Sequence, residues 1–259
     1  MGHQSQRTAP GCTGGGKEAE ELFLMALNYH HGINGMPRDL ERAIKCYEES
    51  LELGNPKAAI NLGTLYRAEF GAHRESRKER LKYMNALYAR AIKMGCPDGY
   101  YFIALSYYYG WGVKENIEKG DAYMKKGAED GGLFPMYAHG LIMDKKGEVE
   151  EAKKWLLKAL ERGFGLAGYE LFSIYKFEKD YQKMIYFARQ GAKLGDTMCM
   201  FVLSGIYRKG RYDQPKDEEY AEKLYDFYST INEKAPPPLI EDFDERFPPK
   251  EVVPYSGEK

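Results

Sequence analysis

The feature that most constrains this chain is an internal repeat. Five amphipathic segments each end in glycine, and their terminal glycines stand 41, 36, 32 and 32 residues apart. A glycine directly after an amphipathic run favours the left-handed backbone conformation that closes a helix. The five segments are Glu41–Gly54, Lys82–Gly95, Glu118–Gly131, Glu150–Gly163 and Tyr181–Gly195.

A second landmark recurs in the stretches before these segments, with separations of 37, 41, 36, 32 and 32 residues. The glycines and this second landmark share the same series of spacings. A period of 32 to 41 residues is typical of repeat proteins, so the two markers indicate a repeated helical hairpin. The landmark is a tyrosine in five of the six repeats, at Tyr29, Tyr66, Tyr107, Met143, Tyr175 and Tyr207.

Each repeat predicts a first helix, a short turn, a second helix and a glycine stop, and sustained strand alternation is missing from the sequence. We place the first helices at Glu18–His31, Lys57–Glu69, Gly99–Tyr109, Phe134–Lys146, Ala167–Phe177 and Thr197–Lys209. The second helices are placed at Leu40–Leu53, Lys78–Met94, Ile117–Asp130, Val149–Arg162, Tyr181–Leu194 and Glu218–Asn232. A lone hairpin cannot bury its apolar stripe, so neighbouring hairpins must stack. The periodic tyrosines and Trp155 are predicted to form the core stripe.

The repeats resemble Sel1-like repeats over about residues 18–232. The resemblance rests on Leu62–Tyr66, Gly110–Val113, Lys119–Tyr123, Lys126–Gly131 and Ala152–Ala159. It implies an all-α, right-handed superhelical solenoid of about six helical hairpins. The fourth repeat departs from the pattern with Met143, and the second has an insert around Ala72–Arg80.

Composition changes at both ends of the repeats and predicts three parts. Residues 1–16 are polar and glycine-rich and are expected to be flexible, and residues 17–233 form the solenoid. Residues 234–259 hold six prolines, which exclude a continuing helix, among apolar side chains. We expect this tail to run back over the last hairpin as a cap. It resembles the short C-terminal domain of some bacterial Sel1-like proteins.

Charge and motifs argue against several classes of function. Lys plus Arg total 38 against 39 for Asp plus Glu, so a nucleic-acid partner is not expected. No apolar run reaches the roughly 18 residues that a membrane helix needs. Gly11 to Lys17 spells a phosphate-loop pattern, but Glu18 follows where Ser or Thr is required. We predict no cofactor, no metal and no catalytic activity.

The four cysteines are Cys12, Cys46, Cys96 and Cys199, without a CxxC metal motif. Cys46 and Cys199 are interpreted as buried thiols, and the fold is expected not to need a disulfide. Gly11 to Gly16 resembles the spacer after the lipidated cysteine of bacterial lipoproteins. We therefore expect a periplasmic protein whose leader is absent from this chain, with the cytoplasm as the alternative.

Helical arithmetic predicts a docking surface. Positions six before and one after each landmark lie within about 20° of each other on a helix, on the face that lines the concave side of stacked hairpins. Five of the six earlier positions are aromatic, and Tyr and Arg dominate protein interfaces. The alternative is that these rings widen the core between repeats. Tyr109 and Trp111 are added because they form a dense aromatic cluster with Tyr108. The predicted partner-binding residues are Phe23, His30, Arg67, Tyr101, Tyr108, Tyr109, Trp111, Tyr137, Tyr169, Lys176, Phe201 and Arg208.

The resemblance implies non-enzymatic protein recognition. Bacterial Sel1-like proteins with such tails look like immunity proteins that bind and occlude secreted phospholipase toxins of type VI systems, so a secreted lipase toxin is the expected partner. Two alternatives stay open: a general adaptor for assembly or signalling complexes, and an accessory hydrolase with its own activity. The oligomeric state is left open.

Overall fold

A computed structural model describes Cys12 and residues 14–68, 76–233 and 243–248. Within these residues the chain is helical, without strands, and the predicted all-α fold of successive hairpins is confirmed. The helices are α1 Lys17–His31, α2 Leu40–Glu52, α3 Pro56–Ala68, α4 Arg77–Lys93, α5 Gly99–Tyr109, α6 Ile117–Glu129, α7 Leu133–Lys145, α8 Val149–Glu161, α9 Leu166–Phe177, α10 Tyr181–Lys193, α11 Thr197–Lys209, α12 Glu218–Glu233 and α13 Phe243–Arg246.

Local sequence explains where these helices begin and end. Asp39, Asn116 and Asp180 each accept a hydrogen bond from the backbone N–H three residues later, which satisfies an otherwise unpaired donor of the first turn. Ser76 and Glu79 form a capping box that starts α4 at Arg77. The end of the insert predicted at Ala72–Arg80 is therefore helical.

The chain divides within α7, between Ile142 and Met143, into two compact units. In the first unit α1 packs on α2, α3 on α4 and α5 on α6, and the second helix of one hairpin contacts the first helix of the next. In the second unit α9 packs on α10 and α11 on α12, with the same contact between hairpins. None of the helices in the described ranges combines the length and apolar content needed to cross a bilayer.

The landmark residues belong largely to the cores of the two units. Tyr207 is fully buried, and Tyr66, Tyr175 and Trp155 are at most 9% exposed. Small residues let the helices approach closely. A Cβ atom on Gly191 would lie 2.5 Å from the Cys199 Sγ of the next hairpin.

The N-terminal segment contradicts our expectation about disulfides. Cys12 and Cys96 form a disulfide with a Cα–Cα distance of 4.7 Å. Both residues are buried beside the carboxylate of Asp98. Gly14 lies close to the α2–α3 turn, because an added Cβ atom there would be 2.8 Å from the Gly54 carbonyl oxygen. Residues 1–11 and residue 13 of the predicted flexible segment lie outside the described residues.

The described part of the C-terminal tail folds back onto the second unit. Arg189 of α10 is 7% exposed and donates to Asp244 (2.8 Å), to the Phe247 carbonyl oxygen (2.6 Å) and to the Tyr220 hydroxyl (3.0 Å). Phe243 is fully buried. Residues 234–242 and 249–259 of the predicted cap lie outside the described residues.

Candidate protein-docking site

A glycine turn after α5 places the central aromatic side chain of the candidate site. Gly110 ends α5 in the left-handed conformation (φ 66°), and Gly112 adopts φ 72°. A Cβ atom on Gly112 would lie 2.8 Å from the Leu81 carbonyl group. Asn85 of α4 donates to the Trp111 carbonyl oxygen at 2.7 Å. The turn is therefore pinned to α4, and the Trp111 backbone is held in one position.

Four predicted residues come together around this turn, and we call Arg67, Tyr101, Tyr109 and Trp111 the aromatic platform. The rings of Tyr109 and Trp111 stack with centroids 4.8 Å apart. The guanidinium carbon of Arg67, at the end of α3, lies 4.9 Å from the centroid of Trp111. Tyr109 is 61% exposed, and the other three residues are half-buried. This set offers a partner a flat, rigid aromatic face beside a positive charge.

Tyr101 forms the inner border of the aromatic platform. Its ring lies 5.6 Å from that of Phe134 and 5.2 Å from that of Phe102. Burial, and then the neighbouring Tyr109, raise the pKa of Tyr101, while Arg67 works in the opposite direction. The hydroxyl is therefore neutral at physiological pH and can donate a hydrogen bond.

Tyr108 does not join the aromatic platform. Its hydroxyl donates to Asp121 of α6 at 2.8 Å, and its ring packs where a Cβ on Gly120 would clash. Burial, and then the hydrogen bond and charge of Asp121, raise the pKa of Tyr108 far above its usual range. Tyr108 holds α5 to α6 and is half-buried.

Phe23 and His30 require a correction, because the structure buries both. Phe23 is 0% and His30 8% exposed. Their rings each lie 6.0 Å from the ring of Tyr47 in α2, and His30 Nδ1 is 3.3 Å from the Tyr47 hydroxyl oxygen. In the first hairpin these two predicted docking residues therefore belong to the core, which agrees with the alternative that the rings widen the core between repeats.

The predicted residues of the second unit form two separate groups. Tyr169 stacks on Phe172 at 5.9 Å, and Lys176 lies over the same ring. Phe201 is 46% exposed and lies 5.7 Å from Tyr228, while Arg208 lies over the ring of Tyr225. Tyr137, on α7 in the first unit, is half-buried.

Tyr225 and Tyr228 were not predicted, although the repeat alignment holds a signal for one of them. The position of Tyr228 is a small, buried residue in the five earlier second helices. These small residues are Ser50, Ala91, Gly127, Ala159 and Gly191. At Gly127 and Gly191, the first helices of two hairpins crowd this position. In α12 this position carries a large aromatic ring instead of a small residue. Together with Phe201, Tyr225 and Tyr228 form what we call the terminal patch.

Comparison with known proteins agrees with this geometry. The Sel1 repeat model matches residues 22–55, 97–132, 136–164 and 197–226. No curated protein matches the chain in sequence.

Solved structures share the fold. The immunity protein Pa5087 from Pseudomonas aeruginosa is 21% identical, with a TM-score of 0.72 over 90% of this chain and 89% of that chain. The immunity protein PA5088 from the same organism is 19% identical, with a TM-score of 0.70 over 92% and 90%. A Sel1 repeat protein from Oxalobacter formigenes is 22% identical, with a TM-score of 0.64 over 82% and 88%. The repeated hairpins, the matched segments and the shared fold together identify this chain as a Sel1-repeat protein.

Proposed function

We propose that this protein is an immunity protein that binds a secreted antibacterial toxin and blocks it by occlusion. The observation that carries the proposal is the exposed stack of Tyr109 on Trp111, backed by Arg67. Tyr, Trp and Arg supply most of the binding energy in protein interfaces, since each offers a large contact area. The aromatic platform holds all three side-chain types within one site.

The aromatic platform is organised before a partner arrives. Trp111 is fixed through its backbone by Asn85 and through its ring by Tyr109 and Arg67. Side chains that are already ordered lose little rotamer freedom on binding, so more of the contact energy remains as affinity. This arrangement suits tight one-to-one inhibition, which an immunity function requires.

Two further findings support the immunity role. Two structures that share the fold over about nine-tenths of both chains are named immunity proteins. The Cys12–Cys96 disulfide is typical of a protein that works in an oxidising compartment such as the periplasm. The bonded Cys12 sulfur is also not available for a lipid anchor. We propose that the protein acts in the periplasm against a phospholipase-type toxin of a type VI secretion system.

The direct test is protection from a toxin. Cells that express the toxin encoded nearest to this gene should stop growing, and co-expression of the wild-type protein should restore growth. The double variant Tyr109→Ala with Trp111→Ala should fail to restore growth. Phe177→Ala is the matched control, since Phe177 is 91% exposed but lies in the other unit. No protection by the wild-type protein would refute the immunity role.

The terminal patch supports a second candidate function, that of an adaptor with two partners. Phe201 and Tyr225 are 46% and 39% exposed and belong to the second unit, whereas the aromatic platform belongs to the first. An adaptor would bind one partner through each surface. Phe201→Ala with Tyr225→Ala would then release one partner and leave the other bound. If those variants change no binding, the adaptor function is wrong.

A further inference from the structure

Among the described residues, positive side chains lie over aromatic rings at many places, and at least five of these cations also pair with a carboxylate. Each of these cations lies 5.0 to 5.9 Å from a ring centroid and also forms an ion pair with an Asp or Glu. The five are Arg42 with Asp39, Lys57 with Glu20, Lys153 with Glu178, Lys183 with Asp180 and Arg189 with Asp244. The ring, the cation and the carboxylate therefore form a recurrent group of three.

Arg67 has the first two members of this group and lacks the third among the described residues. It is half-buried over Trp111 at 4.9 Å, with no ion pair to a described carboxylate. Its charge acts on the neighbouring phenols Tyr88 and Tyr101. Burial, opposed by Thr64 and Arg67, raises the pKa of Tyr88 to about 12, and the pKa of Tyr101 is also raised. Both phenols are neutral at physiological pH and cannot balance the charge of Arg67.

Other cations without an ion pair differ from Arg67. Lys176 is exposed over Phe172, so water can solvate its charge. Arg208 is exposed as well, and its charge helps to lower the pKa of Glu218, for which Lys216 is the larger cause. Arg67 combines partial burial, ring stacking and a missing counter-charge.

We propose that the partner of the aromatic platform places an Asp or Glu side chain on the guanidinium of Arg67, beside the Trp111 ring. The inference rests on the proposed docking function and names the chemistry that this site recognises. A guanidinium whose face lies on a ring directs its N–H groups outward from the ring edge. Two of them can match a carboxylate with parallel hydrogen bonds while another contacts the Tyr88 hydroxyl. Partial burial strengthens such a pair relative to one in water.

The test uses a display library of random peptides, selected on the full-length wild-type protein. Peptides that bind should be enriched in Asp or Glu at one constant position. Each selected peptide is then synthesised with its amide twin, Glu to Gln or Asp to Asn. We expect the acid form to bind the wild-type protein about tenfold more tightly, as for a charged hydrogen bond.

Substitutions connect this preference to Arg67. Arg67→Gln should bind acid and amide peptides equally. Arg67→Lys should keep part of the preference for the acid, because lysine retains the positive charge but lacks the planar guanidinium that forms two parallel hydrogen bonds. Arg211→Gln removes an exposed charge in the other unit and should leave the preference unchanged. Unaltered circular dichroism and melting of the Arg67 variants would exclude misfolding as the cause.

Three results would overturn the inference. The first is that the selected peptides are not enriched in Asp or Glu. The second is that Arg67→Gln still binds the acid peptides more tightly than the amide peptides. The third is that an acid preference is found only in the double variant Glu69→Gln with Glu75→Gln and not in the wild type. The last result would show that this chain's own carboxylates occupy Arg67. Growth protection by the wild-type protein together with any of these results would leave the immunity function standing and remove only the acidic contact.

Discussion

At the residue scale, burial decides which predicted side chains remain available for docking. Phe23 and Phe201 both follow from the same helical arithmetic, yet Phe23 is 0% and Phe201 46% exposed. The two positions lie at the border of the apolar stripe, where the facing helix determines exposure. In the first hairpin Tyr47 reaches that border and covers Phe23. Sequence alone could not predict this, because it does not give the size and direction of the facing side chain.

His30 makes the stability of the first hairpin depend on pH. Burial, followed by the charges of His31 and Arg38, lowers the pKa of His30 from 6.5 to about 4. Between these two pH values the His30 imidazole is protonated in the unfolded chain but neutral in the folded protein. As the pH is lowered through this range, the free energy of unfolding therefore decreases by at most about 1.4 kcal/mol per pH unit. Above pH 6.5 the group is neutral in both states and contributes no slope.

Thermal melting of the wild type and of His30→Gln between pH 7 and pH 4 tests this. The wild type should lose stability faster as pH falls, so the advantage of the wild type should shrink. Parallel pH profiles for the two proteins would show that His30 does not titrate in this way.

At the element scale, the repeat pattern and its glycine stops predict the bounds of α1 to α12 to within one residue. Gly110 and Gly210 close α5 and α11 in the left-handed conformation, and these helices end where the repeat pattern placed them. The start of α4 was predicted one residue late, although Ser76 and Glu79 spell a capping signal. The disulfide could not be predicted, because the spacing of four cysteines does not reveal which helix turns lie side by side. Only the packing of Cys12 near the α4–α5 turn brings it to Cys96.

Two glycines in neighbouring helices should respond to alanine in opposite directions. Gly191 of α10 packs so closely that an added Cβ would lie 2.5 Å from Cys199 Sγ and 3.0 Å from the Gly165 carbonyl oxygen. Gly191→Ala should therefore destabilise the protein by about 1–3 kcal/mol. Gly205 of α11 has no atom within 4 Å of an added Cβ. Gly205→Ala should stabilise it by up to about 1 kcal/mol, because alanine favours the helix.

Urea denaturation of both variants measures the two effects. The close helix approach at Gly191 would be disproved if Gly191→Ala were as stable as Gly205→Ala.

At the scale of the whole molecule, a Sel1-repeat chain is a series of hairpins in which each is stabilised mainly by its neighbours. This protein adds one long-range contact at each end of the described chain. Cys12 is bonded to the α4–α5 turn across 84 residues, and Phe243 to Phe247 are held by Arg189 on α10. The repeated hairpins followed from the sequence, whereas the short helix α13 in the proline-rich tail did not. The disulfide and the contacts of Arg189 with the tail join residues that are far apart in the sequence, so a local sequence pattern does not predict them.

The disulfide should stabilise the first unit by restricting the unfolded chain. For a loop of 84 residues, its loss costs about 2–5 kcal/mol. Cys96→Ser should melt at a lower temperature than the wild type and should not respond to dithiothreitol. The wild type should fall to the same melting temperature when reduced, whereas Cys46→Ser should behave as the oxidised wild type. Four free thiols in a denatured, unreduced sample would contradict the bond.

The central claim is that the aromatic platform is the surface through which this protein holds its partner. The affinity of purified Trp111→Ala for the toxin, measured by calorimetry beside Phe177→Ala and the wild type, tests it most directly. A truncated interface anchor costs about 2 kcal/mol or more, so Trp111→Ala should bind at least about 30-fold more weakly, with Phe177→Ala unchanged. Equal affinity of all three proteins, each correctly folded, would contradict the claim.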